Sequence, residues 1–84
     1  MKIDGSTLIE VENSDITPDG TLNIPKGVTS IGNNAFRDCT SLKEITLPDS
    51  VTSIGDCAFC LCTSLKKIVI PKGVTHIQNQ AFES

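Results

Sequence analysis

Proline stands at Pro25, Pro48 and Pro71 and phenylalanine at Phe36, Phe59 and Phe82, each type returning after 23 residues. Self-similarity at a fixed period of about 20 to 50 residues marks a stack of small supersecondary units, each too small to bury its apolar face alone. A chain built this way folds as an array sharing one continuous core.

The remaining apolar positions keep the same register. Val28, Val51 and Val74 match, as do Ile31, Ile54 and Ile77, then Ala35, Ala58 and Ala81, then Ile24, Leu47 and Ile70. Cys39/Cys62, Leu42/Leu65 and Ile45/Ile68 complete the unit, and Leu22 takes the slot of Ile45 one period earlier. Polar identities drift: the slot of Asn34 holds Cys57 and then Gln80, and that of Arg37 holds Cys60 and then Glu83. Drift of this kind reads as solvated, loosely constrained positions.

Composition fits the array. A chain of 84 residues that is 38% hydrophobic, without Trp or Tyr, makes one small domain whose core would be marginal in a globular arrangement. Rungs instead bury Val, Ile, Leu and Phe against their neighbours at about 25 cal/mol per Å² of apolar area, and about three rungs are needed for stability. The net charge of −3 offers no basic field for nucleic acid or anionic lipid. No stretch is long and apolar enough for membrane insertion. The opening Met1 to Thr7 has no apolar run behind its basic residue, so the chain as given carries no secretory signal. Either it is intracellular, or it is a piece of something longer.

Within the unit, Leu42 to Leu47 ends in alternation, with Ile45 and Leu47 inward and Thr46 outward, the period of a half-buried strand. Pro48 stops it. Val51 to Gly55 is β-branched and bounded by turn residues, and reads as a second brief strand. Between Asp56 and Thr63 the chain reverses, and Ala58-Phe59 followed by Cys62 and Leu65 suits one tight helical turn that tucks Phe59 inside. Stacked copies give two short parallel sheets on opposite walls.

The run Ile45-x-Leu47-Pro48-x-Ser50-Val51-Thr52-Ser53-Ile54-Gly55-x-x-Ala58-Phe59-x-x-Cys62-x-Ser64-Leu65-x-x-Ile68-x-Ile70-Pro71 closely resembles the BspA-like, or Treponema pallidum type, leucine-rich repeat. The resemblance covers Leu22 to Phe82. It implies a right-handed, curved leucine-rich-repeat solenoid, mainly β with short helical turns. Such repeats occur in bacterial surface proteins that adhere to host matrix proteins or other cells, and in intracellular proteins of some protists and bacteria. The repeat carries no catalytic residues, so the resemblance implies a non-enzymatic chain, without a cofactor, whose partner is a protein.

The ends depart from the pattern. Residues 1–21 read as an N-terminal cap and 22–84 as the repeats, the last of them incomplete. Leu8 stands one period before Ile31 and Ile16 one period before Cys39, but Asp19 falls where Leu42 would require an apolar residue. Thr7 to Glu12, the turn-rich Asn13 to Gly20, and Thr21 to Ile24 are expected to fold as a hairpin or half-rung shielding the first repeat. At the other end Val74, Ile77, Ala81 and Phe82 are expected to face an open rung. A fragment of a longer array accounts for this, and so does a homodimer joined through these residues.

Cys57, Cys60 and Cys62 read C-x-x-C-x-C, half of a zinc signature. No second C-x-x-C or H-x-x-x-H completes a tetrahedral set, so no metal is expected. Cys39 and Cys62 stack in one slot. Adjacent strands lie about 4.8 Å apart, within the roughly 4.4–6.8 Å that bridged Cα atoms span. Stacked side chains nonetheless point the same way, against the near-right-angle torsion of a disulfide, and thiols are expected there. Cys60 is expected at the surface, where oxidation could link chains. His76, in the slot of Ser30 and Ser53, reads as a surface residue without triad partners. Gly32 and Gly55 end strands, and no glycine belongs to a phosphate-binding loop.

Function then falls to the outward positions. Thr29, Thr52 and Thr75 beside Ser30, Ser53 and His76 form a hydroxyl ladder on one wall, which β-propensity alone explains. On the other wall Lys43, Glu44, Thr46, Lys66, Lys67 and Val69 are the candidate protein-binding residues, by analogy with the sheet that follows the Leu-x-x-Ile-x-Leu signature in similar repeats. Three classes of function are weighed: a protein-binding or adhesion module, a structural spacer or self-assembly module joined at its open end, and an enzyme. The last would need a pocket that narrow rungs do not readily provide.

Overall fold

The structure, a computed structural model, describes residues 1–78 and 80–82. Its strands follow in the order β1 (Lys2–Asp4), β2 (Thr7–Glu10), β3 (Ser30–Ile31), β4 (Glu44–Thr46), β5 (Ser53–Ile54), β6 (Lys67–Val69) and β7 (His76–Ile77), with a 3-10 turn at Asn13–Asp15 after β2. The period becomes the pairing register. Ser30 lies opposite Ser53 and Ser53 opposite His76, all parallel, with Ile31, Ile54 and Ile77 in the next row. On the second wall β4 and β6 are parallel, with Glu44 opposite Lys67, Ile45 opposite Ile68 and Thr46 opposite Val69. The two sheets expected from the repeat are both present.

The core is the ladder of slot residues. Leu8, Ile31 and Ile54 are fully buried in one column, Phe36 and Phe59 in another, with Leu42, Ile45, Val28 and Val51 between them. Among the described residues, burial falls away toward the end of the stack: Ile77 is 50% exposed and Phe82 41% exposed, although they occupy the slots of Ile54 and Phe59. Identical side chains differ because burial comes from the rung on either side, as a one-dimensional stack requires.

The reversal between the walls tucks its phenylalanine inward, but as a ribbon of turns in place of a helical turn. In the first copy the N–H groups of Ala35, Arg37 and Cys39 donate locally, three residues back, to Gly32, Asn34 and Phe36. Those of Asn34, Phe36 and Asp38 donate across to the carbonyls of Asp56, Ala58 and Cys60 in the next rung, at 2.7–3.0 Å. Such alternation requires a left-handed backbone, and Asn34, Asp38, Cys57, Leu61 and Gln80 have φ between 53° and 69°. A helix would turn its N–H groups along its own axis and leave the neighbouring carbonyls unsatisfied.

At the N-terminus, Leu8 sits opposite Ile31 and Thr7 opposite Ser30, so β2 forms the expected half-rung. The hairpin partner differs from the expectation. β1, not Thr21–Ile24, pairs antiparallel with β2 through a turn at Gly5, where φ is 61°. Residues 21–24 form no strand; this side is joined to the next rung through Gly20, whose carbonyl accepts the Lys43 N–H at 2.8 Å. Asp19, in the leucine slot, stays in solvent and accepts hydrogen bonds from Thr17 and Thr21.

Candidate functional site

The period-2 pleat of β4 and β6 sends Ile45 and Ile68 toward the core and leaves Glu44, Thr46, Lys67 and Val69 on the outer face. Lys43 and Lys66 precede the two strands and are likewise exposed. The Lys66 N–H donates to the Lys43 carbonyl at 2.8 Å, which fixes one backbone above the other. The structure therefore brings together on one wall all six residues expected there.

The Lys43 side chain is held from beneath. A Cβ on Gly20, where φ is +85°, would fall 2.6 Å from the Lys43 Cγ, so the lysine stem lies across bare backbone while its ammonium reaches solvent. Asp19 lies near enough to feel this charge: hydrogen bonds from Thr17 and Thr21, with the Lys43 ammonium adding to them, hold its carboxyl below the usual value. Among the described residues, Lys43, Lys66 and Lys67 form no ion pair at contact distance; the one present joins the Met1 amine to Asp15 at 2.7 Å. Beside Thr46 the wall opens into a groove lined by Asn23, Lys26, Pro48, Asp49 and Ser50.

The opposite wall spends its polar groups on itself. Thr29 Oγ1 donates to Ser6 Oγ and Ser53 Oγ to Ser30 Oγ, each at 3.0 Å, and Thr52 Oγ1 donates to the Thr29 carbonyl. His76 Nδ1 meets Thr75 Oγ1 at 2.9 Å.

The thiols serve the stack. Cys39 Sγ donates to the Val11 carbonyl and Cys62 Sγ to the Phe36 carbonyl. Burial, with the neighbouring Cys62 adding to it, pushes the Cys39 thiol up to about 11, and burial also raises Cys62. Neither supplies a thiolate at neutral pH. Cys60 corrects an expectation: it is buried, its Sγ donating to the Gln80 carbonyl at 2.9 Å. A short thiol reaches the next rung from a slot where Arg37 must extend into water; Glu83, the third occupant, lies outside the described residues. No disulfide joins the cysteines, and among the described residues no group of three His, Cys, Asp or Glu side chains converges on a metal position.

Of the four residues expected at the open end, Ile77 and Phe82 are exposed and Val74 is half-buried. Ala81 is the exception, buried at 2% exposure as a member of the core cluster. A second depression, lined by Glu10, Glu12, Asn33, Arg37 and Asp38, opens between the N-terminal strands and the first turn ribbon. Sequence reasoning missed it because its residues come from outside the repeat and from drifting slots; the lone arginine was the available signal.

The sequence model of the BspA type leucine rich repeat region (6 copies) matches residues 15–84. Among solved structures, the chain is similar to the T. pallidum leucine rich repeat protein, with a TM-score of 0.74 and 29% sequence identity. The match covers 88% of this chain and 45% of that one, so the chain spans less than half the length of its structural relative. The comparison with curated proteins gives no match. With the family model covering 70 of 84 residues, the chain belongs to the BspA type leucine-rich-repeat family.

Proposed function

We propose that this chain is a non-catalytic protein-binding or adhesion module whose ligand lies across the wall of β4 and β6. The observation that carries this reading is the contrast between the walls. Lys43 and Lys66 stack one above the other and Lys67 lies opposite Glu44, all exposed and, among the described residues, without contact ion pairs, whereas the opposite hydroxyls are bonded to one another. A wall with exposed charges and an exposed Val69 offers both steering and an apolar contact to a partner. Binding to a panel of immobilised matrix proteins, measured by surface plasmon resonance, tests it. Lys43→Glu combined with Lys66→Glu is expected to abolish a response that Thr52→Glu, on the other wall, leaves intact. The reverse pattern would move the site.

A second reading, a self-assembly module, is favoured by the exposed apolar residues Ile77 and Phe82 at the end of the stack. The two readings use different surfaces and can hold together.

A further inference from the structure

The alternation of β4 sends its backbone groups to two sides. Lys43 and Leu47 bond toward β6, the Lys43 carbonyl accepting the Lys66 N–H and the Leu47 N–H donating to the Val69 carbonyl. With a period of two, Glu44 and Thr46 turn their N–H and C=O groups the other way, toward residues 21–24. The Glu44 N–H finds the Gly20 carbonyl there, at 3.2 Å. Beyond it the joint opens. Among the described residues, the Glu44 carbonyl and both backbone groups of Thr46 bond to nothing in residues 21–24, and Leu22, Asn23 and Ile24 make no backbone hydrogen bond at all.

Two adjoining grooves of about 610 and 280 Å³ lie along this gap, both lined by Asn23 and Thr46. The gap is inside the stack, between two rungs that are both present. An opened joint of this kind leaves a strand edge with unspent donors and acceptors, which an extended segment of another chain can pair with.

Charge gives that segment its sign. Residues 20–26, 43–49 and 66–72 form this wall and the turns that follow it, and they hold five of the seven basic residues, Lys26, Lys43, Lys66, Lys67 and Lys72. Of the ten acidic residues they hold two, Glu44 and Asp49. Asp19, which feels the Lys43 ammonium, adds one more at the margin and leaves the wall positive on a chain of net charge −3. An acidic partner is drawn to this wall and repelled by the acidic remainder of the chain.

We propose that the ligand of this wall is an acidic, extended segment of a partner polypeptide, which lies along the gap and pairs with the open backbone groups of Glu44 and Thr46. This rests on the reading of the β4–β6 wall as the binding face and names what that face takes.

Fluorescence anisotropy with a labelled peptide of alternating threonine and glutamate tests it. The peptide is expected to bind the wild type, more weakly as salt is added, and its lysine counterpart is expected not to bind. N-methylation of one or the other alternate set of peptide residues is expected to weaken binding by about tenfold through lost strand bonds. Thr46→Pro removes an N–H that β6 does not use and should give a similar loss, whereas Thr46→Val keeps that N–H and should bind as the wild type does. Circular dichroism establishes that both variants fold. Undiminished binding with either set methylated would overturn strand pairing. Binding of heparin, with none of the glutamate peptide, would replace the polypeptide by a sulfated polysaccharide. A glutamate peptide that fails to bind, while Lys43→Glu with Lys66→Glu still abolishes the matrix-protein response, would overturn the acidic segment and leave the wall reading standing. If those two substitutions leave that response intact, the wall reading falls and this inference with it.

Discussion

Phe36 and Phe59 lie ring on ring, their centroids 4.7 Å apart and their planes 15° from parallel. Phe82 continues the column at 5.2 Å and 4°. Offset stacking of this kind adds about 0.5–1.5 kcal/mol per pair to the burial of the rings themselves. The column joins three rungs through side chains where the wall sheets join them through backbone.

The column predicts a gradient of mutational cost. Phe59→Ala removes a buried ring with a neighbour on both faces and is expected to cost about 3–5 kcal/mol, enough to unfold most of so small a chain. Phe82→Ala removes a ring with 41% exposure and one neighbour, and should cost well under half as much. Urea denaturation of the two variants measures the difference; equal costs would show that the rings do not act as a graded column.

Left-handed positions predict a stabilising change. Leu61 has φ 60° and a 37% exposed side chain, in the slot where the preceding rung places Asp38 at φ 64°. A left-handed backbone costs an ordinary residue about 1–2 kcal/mol, and Asn or Asp less. Leu61→Asn is therefore expected to raise stability by about 0.5–1 kcal/mol, a gain visible as a higher melting temperature. A loss on substitution would mean that the packing of Leu61 outweighs its strain.

The same slots show what the sequence could and could not reveal. Period-23 matching named the partners of Ile31, Ile45 and Phe36 one rung away, because apolar packing demands the same chemistry each time. Asn34, Cys57 and Gln80 share a demand of a different kind, a backbone angle, which three unlike side chains can meet. Their drift reads as solvation, which the exposed Asn34 and Gln80 bear out, but it hides the shared angle. Cys60 was misread for a related reason: a drifting slot suggests exposure, but its short side chain hydrogen-bonds to the Gln80 carbonyl. On the candidate wall, the register was enough to gather Lys43, Lys66, Glu44 and Lys67 on one face. The contrast with the hydroxyl wall was not legible, since both walls repeat and only the bonds of Ser30, Ser53 and Thr29 separate them.

Gly55 serves more than the end of a strand. A Cβ there would run into the Asn33 carboxamide oxygen and, at 2.7 Å, the Asn33 backbone nitrogen. The space is used: Asn33 Oδ1 accepts the Asp56 N–H at 2.7 Å, joining two rungs. Gly55→Ala is expected to destabilise by about 1–3 kcal/mol, through forced separation of the rungs and loss of that bond. Gly27→Ala, where a Cβ meets nothing within 4 Å, is the matched control. Comparable denaturation midpoints for the two variants would refute close approach at Gly55.

Cys39 predicts a loss of stability in alkali. Its thiol rises from 9.0 to about 11 in the folded chain because burial disfavours the thiolate. Between those values the unfolded chain releases a proton that the folded chain keeps, so the unfolded state binds fewer protons and stability falls as pH rises. Below pH 9 the contribution is complete, and it is lost progressively toward pH 11. Cys62, also raised by burial, adds in the same direction. Urea midpoints measured at pH 8 and pH 10.5 are therefore expected to drop more for the wild type than for Cys39→Ala, even though the alanine variant starts lower through its lost packing. An equal drop would assign the alkaline sensitivity to other groups and remove the buried thiol from the pH response.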